Sequence, residues 1–104
     1  MNTKDKSEEL LKLFVELRKI LANENDSNWI RGIDLIIAAL SQIDKSEKKD
    51  FEETLDYVSE TYKSMVSGNG SFADFYIWRD EFKERKKENE KLDVLRSDIW
   101  SLVS

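Results

Sequence analysis

The chain of 104 residues contains no proline, no cysteine and no histidine, and only three glycines. Each absence removes a class of structure or chemistry. Without cysteine there is no disulfide framework, no thiolate zinc site and no cysteine nucleophile. Without histidine the commonest general base and metal ligand are gone, and with them every Ser-His or Cys-His arrangement. Any catalysis would rest on carboxylates, Lys, Arg, Tyr or hydroxyls. Long apolar runs are missing as well. The opening stretch, "MNTKDKSEELLKLFVELRKIL", is interrupted by Lys12, Glu16, Arg18 and Lys19 at helical spacing, which predicts an amphipathic helix and not a signal peptide. No window approaches the length of a membrane span, so the expectation is a soluble cytoplasmic protein with no membrane partner.

What the chain does have is large apolar residues in balance with charge: 39% are hydrophobic and 38% charged. That balance favours a folded domain with buried and solvated faces over disorder. The length suits one domain, residues 1–104, which buries about two-thirds of its unfolded surface. Apolar residues recur at intervals of three and four, and no proline interrupts them. The fold expected is all-α, a compact single-domain bundle of about four to six helices with a glycine turn in the middle. A first helix is predicted from Ser7 to Ala22, with Leu10, Leu13, Phe14, Leu17, Ile20 and Leu21 as its apolar stripe. The cluster "NENDSN" ends it and offers Asp26 or Ser27 as the cap of a second helix, Asn28 to Ile43. A third runs from Glu47 to Val66, with Phe51, Leu55, Val58, Tyr62 and Met65 in register.

The stretch "SGNGSFADFYIWRD" holds two of the three glycines. A phosphate-binding loop needs G-x-x-x-x-G-K-[ST] after a buried strand, and "GNGS" has neither the lysine nor the strand. Gly68 instead fits a left-handed residue closing the third helix, with Asn69 and Gly70 completing the reversal. Ser71 and Asp74 have the spacing of a capping box, which predicts a helical turn over "FADFYIW" although its residue types also suit a strand. Gly68, Gly70, Ser71 and Asp74 are therefore structural turn residues. Beyond them, Leu92, Leu95, Ile99 and Leu102 form the stripe of a final helix, and a break is expected near Asn89.

Five aromatic residues, Phe72, Phe75, Tyr76, Trp78 and Phe82, crowd into this region. Placed on one helix they cover an arc of about 160°, most of which would face the core. Tyr76 and Trp78 fall at its edge and are candidate anchors for a partner. Charge is unevenly spread. Residues 51–78 contain one lysine against five acids, so nearly all of the net charge of −5 lies there, with Glu52, Glu53, Asp56 and Glu60 on the predicted solvent face of the third helix. Such a face steers a basic partner and repels nucleic acid. The basic run "KERKK" from Lys83 to Lys87 is cancelled by interleaved glutamates and reads as a solvated helix.

At "GNGSFADFYI" and "NEKLDVLRSDIW" the chain resembles an uncharacterised group of small bacterial helical domains with a G-x-G-S-[FL]-x-D centre. The matching residues are Gly68, Gly70, Ser71, Phe72 and Asp74, with Trp29 and Asn89 as further landmarks. The resemblance implies a bacterial protein whose central motif shapes a turn, and it carries no catalytic residue. In size, acidity and lack of catalytic equipment the chain is similar in type to immunity proteins of bacterial toxin systems. That similarity implies a non-catalytic antitoxin that occludes the active site of a cognate toxin with a basic surface, a nuclease above all. The expected contact residues are Glu52, Glu53, Asp56, Glu60, Tyr76 and Trp78, with no catalytic residue, metal or cofactor. The alternative rests on "EETLD" and "EKLD", which resemble the paired E-E-x-x-E and E-x-x-D of all-helical nucleotide pyrophosphohydrolases. It implies a magnesium site on Glu52, Glu53, Asp56, Glu90 and Asp93.

Overall fold

Asn2 starts the first helix. Its side-chain oxygen accepts the N–H of Asp5 at 2.8 Å, so α1 begins at Thr3, four residues before the sequence suggests, and runs to Asn23. The computed structural model describes residues 2–43, 48–68 and 70–103, and the side chains of residues 48–50 are not among the features described. At the end of α1, Asn25 adopts a left-handed conformation with φ 57°, while the N–H groups of Asn25 and Asp26 return to the carbonyls of Ala22 and Leu21. This pair of bonds closes the helix and turns the chain within two residues. Asp26, not Ser27, then serves the next helix, its carboxylate accepting the N–H of Ile30 at 2.8 Å.

The second helix, α2, spans Trp29–Ser41 and the third, α3, spans Lys48–Met65. Gly32 on α2 faces Met65 at the end of α3. A Cβ at that position would stand 2.9 Å from the Met65 sulfur, so the glycine permits a closer crossing than alanine would. The last helix, α4, runs unbroken from Phe82 to Val103. The break expected at Asn89 is absent, for a reason that belongs to the site below.

Among the described residues four α-helices fold as an all-α domain in which α1 touches each of the other three. Its stripe, Leu10, Leu13, Phe14, Leu17 and Leu21, meets Ile33, Ile36 and Leu40 of α2, Val58 and Tyr62 of α3, and Leu92, Ile99 and Val103 of α4 in one core. Phe14 and Tyr62 pack edge to face across its centre at 5.6 Å. The order of the elements fixes two ends. At one end lie the start of α1, the end of α2 and the start of α3, where Ser7, Leu40 and Phe51 line a common cleft. At the other lie the end of α1, the start of α2, the end of α3 and the chain entering α4.

Candidate functional site

Between α3 and α4 the chain crosses this second end as a strap, residues 70–81. Gly68 and Gly70 both take positive φ, 80° and 74°, and begin the reversal as the sequence implies. Asn69 lies outside the described residues. Ser71 caps a single 3-10 turn, Phe72–Asp74, by accepting the N–H of Ala73 at 3.2 Å. Asp74 accepts the N–H of Gly70 at 2.7 Å, one residue before the partner a capping box would give it. The glycine turn and the side chains of Ser71 and Asp74 therefore act together as a joint.

After Asp74 the helical reading of "FADFYIW" is overturned. Residues 75–79 are extended, and their side chains alternate as they do on a strand: Phe75 and Ile77 turn inward while Tyr76 and Trp78 turn out. Only Phe72 and Ile77 are fully buried. The expectation that most of the aromatic crowd is core fails accordingly, with Tyr76 at 57%, Trp78 at 63% and Phe82 at 65% exposure. The one-helix arc does not exist, because the five rings are divided between a turn, an extended segment and the first residue of α4.

Long-range side-chain bonds, not a neighbouring strand, hold the extended segment. Asn89, in the middle of α4, grips Ile77 at both backbone groups: its carbonyl oxygen accepts the Ile77 N–H at 2.9 Å and its amide donates to the Ile77 carbonyl at 2.8 Å. Arg96, two turns further along, donates from Nη1 to the carbonyls of Phe72, Ala73 and Phe75 and from Nη2 to Asp93. Its guanidinium also sits 5.6 Å from the Phe72 ring. Arg79 reaches α1, donating to both oxygens of Glu24 at 2.8 and 2.6 Å. This bidentate pair holds the Glu24 carboxyl below its ordinary range.

Over this scaffold the rings of Tyr76, Trp78 and Phe82 are exposed. The Arg85 guanidinium lies 4.5 Å from the Trp78 ring and 5.4 Å from that of Phe82, so one cation orders both. Trp78 donates its indole N–H to Asp80 at 3.3 Å, and Arg85 donates to the Arg79 carbonyl. Tyr76, two residues before Trp78 on an extended chain, shares its face. Trp78 and Phe82 with the Arg85 cation against both form an exposed apolar patch, which Tyr76 flanks. Phe82, one of the five crowded aromatics, and Arg85, part of the "KERKK" run, were not among the candidate contact residues; a signal for them exists in their i,i+3 spacing behind an outward Trp.

The acidic candidates lie elsewhere. Glu52, Glu53, Asp56 and Glu60 are all exposed on α3, but Glu52 and Glu53 follow Phe51 at the first end of the molecule, and both have interaction partners of their own. Nearly 20 Å of helix, by the rise per residue, separates Glu52 from Met65, beside which the strap begins. The structure thus brings Tyr76 and Trp78 together, and does not bring them together with Glu52 and Glu53. Of the alternative's carboxylates, Glu90 borders an open groove between α1 and α4 and Asp93 is bound to Arg96. Among the described residues no three acidic side chains gather where a metal ion would need them. That groove, about 810 Å³, has an apolar floor of Ile20, Val94 and Leu95 under a rim of both charge signs.

Among the described residues no helix is long and apolar enough to cross a membrane. Comparison of the chain with family models, with curated proteins and with solved structures returns no match, so its function is to be read from its own residues.

Proposed function

We propose that the chain is a non-catalytic protein-binding protein, an immunity protein that neutralises a toxin with a basic surface, a nuclease above all, by covering its active site. The observation that supports this reading is the exposure of Tyr76, Trp78 and Phe82 on a segment whose backbone is fixed. Large rings left in water on a mobile loop would lose freedom on binding; here Asn89 and Arg96 hold the backbone of the strap and Arg85 packs on the Trp78 and Phe82 rings, so less freedom is lost and more of their burial appears as affinity. Trp78 is the anchor and Tyr76 flanks it. The acids of α3 act at a distance. Their field raises the encounter rate with a basic partner without direct contact at the aromatic surface.

Capture from the native cell, followed by binding measurements with the captured protein, tests the reading in two stages. The captured protein should be basic and should lose its toxic activity when this chain is added. A partner without such activity removes the immunity function. With that partner, Trp78→Ala should weaken binding by at least about 2 kcal/mol, mostly through faster dissociation, with the helical circular dichroism retained. Joint reversal of Asp56 and Glu60 to lysine should slow association instead, and the difference should vanish at high salt. Equal affinity for the Trp78→Ala protein would take the aromatic surface out of the mechanism.

A further inference from the structure

A second feature, on a different face, concerns a tyrosine that the core does not need as a tyrosine. Tyr62 is 1% exposed and its ring packs on Phe14, a place that phenylalanine would fill equally well. Its hydroxyl makes no hydrogen bond to any described residue, yet it is not sealed away from solvent. Buried tyrosine hydroxyls as a rule have partners. Tyr62 borders a cleft of about 310 Å³ between α3, the 3-10 turn and α4, whose other walls are Val66, Ala73, Arg96, Ser97 and Trp100.

The polar groups around this cleft are donors in excess. Arg96 uses Nη1 on three carbonyls and Nη2 once on Asp93, which leaves its Nε–H and one Nη2–H without a partner among the described residues. The hydroxyl of Ser97, an exposed residue, has none within the described residues either. The Tyr62 hydroxyl, which burial pushes up to about 12 despite the nearby Arg96 cation, is a donor at neutral pH, as an ordinary phenol is. Asp93 is the one acid at the mouth, and Arg96 already offsets its charge at 2.8 Å. Val66, Ala73 and the half-exposed Trp100 supply apolar walls.

We propose that this cleft binds a small carboxylate carried on a flat apolar body, the carboxylate accepting from Tyr62 and Ser97 beside Arg96 and the body lying against Trp100 and Val66. The site is independent of the aromatic surface on the strap and of the partner proposed for it. Donors that have no partner within the protein select an oxyanion, and the apolar walls select against a bare inorganic ion.

Benzoate is a direct probe, with benzyl alcohol as the uncharged body of similar shape. Titrated into the full chain at neutral pH, benzoate should give saturable amide shifts grouped at Ala73, Ser97 and Trp100 in a nitrogen–proton correlation spectrum, and benzyl alcohol should bind more weakly. Tyr62→Phe should weaken benzoate about tenfold, since it removes a hydrogen bond to a charged group, without lowering the melting temperature. Shifts that do not saturate, that scatter over surface lysines, or that persist unchanged in the Phe variant overturn the proposal. Should that variant fail to fold, Ser97→Ala takes its place under the same criteria.

Discussion

Arg96 shows how much one side chain in this chain is asked to do. Its side chain is mostly buried, it neutralises Asp93, lies against Phe72, and donates to the carbonyls of Phe72, Ala73 and Phe75, the first of which also accepts the Phe75 N–H. It also sits close enough to Tyr62 to oppose the effect of burial on that hydroxyl. For Tyr62 the sign of the pH effect follows from the direction of the shift. Its folded value, about 12, lies above the ordinary 10.0, so the folded state keeps a proton that the unfolded chain releases first. Stability from this residue is complete below pH 10 and falls as pH rises towards 12, by ~2–3 kcal/mol in all. Urea unfolding between those values should show the Tyr62→Phe protein losing less stability than the parent; parallel losses would mean that the hydroxyl is not protected by burial.

At the scale of elements, the strap is the part with the least conventional support. Asn89 replaces the strand that would normally pair with residues 75–79, and Asn89→Ala leaves the Ile77 N–H and C=O without their partners. That substitution should cost about 2–3 kcal/mol and raise amide exchange across residues 75–79 ahead of the helices. Exchange that rises equally everywhere would show the strap to be one unit with the core. The helices were legible because their signals are local: the stripe from Leu10 to Leu21 repeats at helical spacing, and Asp26 stands where a cap belongs. The strap was not, because the bonds that define it join residues 12 to 24 positions apart. Asn89 in particular looked like a helix breaker, since an amide in a polar stretch carries no sign of a distant partner. One signal was nonetheless present. Asn89, Leu92, Arg96 and Ile99 fall at intervals of three and four, so two polar residues occupy the register of a core stripe, where polar side chains need a backbone to bind. The alternation of Phe75, Tyr76, Ile77 and Trp78 was the other half of the pattern. It was legible as a strand, but a three-residue helical turn precedes it and carries the capping residues that favoured helix.

Taken as a whole, the molecule is longer than a sphere of its size, with extents of 49 × 23 × 22 Å and a radius of gyration of 14.3 Å against about 13 Å for a compact 100-residue domain. An acidic third helix and an aromatic stretch were legible in the sequence, but not that Glu52 and Trp78 belong to opposite ends of α1. The Glu24–Arg79 pair ties the strap back to α1 across 55 residues of chain. Since the pair lowers the Glu24 pKa, its contribution is present above the ordinary value of 4.5 and is lost as pH falls below it. The urea midpoint of the parent should therefore exceed that of Glu24→Gln at pH 7, and the gap should close as the pH falls below 4.5; a constant gap would mean that the pair does not depend on the charge of Glu24.

The grip of Asn89 on Ile77 has one more consequence. Because it holds main-chain atoms and leaves the flanking side chains alone, positions 76 and 78 are secured without regard to what they carry. The fold at these two residues is thereby uncoupled from the identity of their side chains. Under the proposed function, a change of ring, size or charge there would redirect what the surface fits while the core beneath it keeps the same contacts, so single substitutions at this end of the bundle would exchange one partner for another.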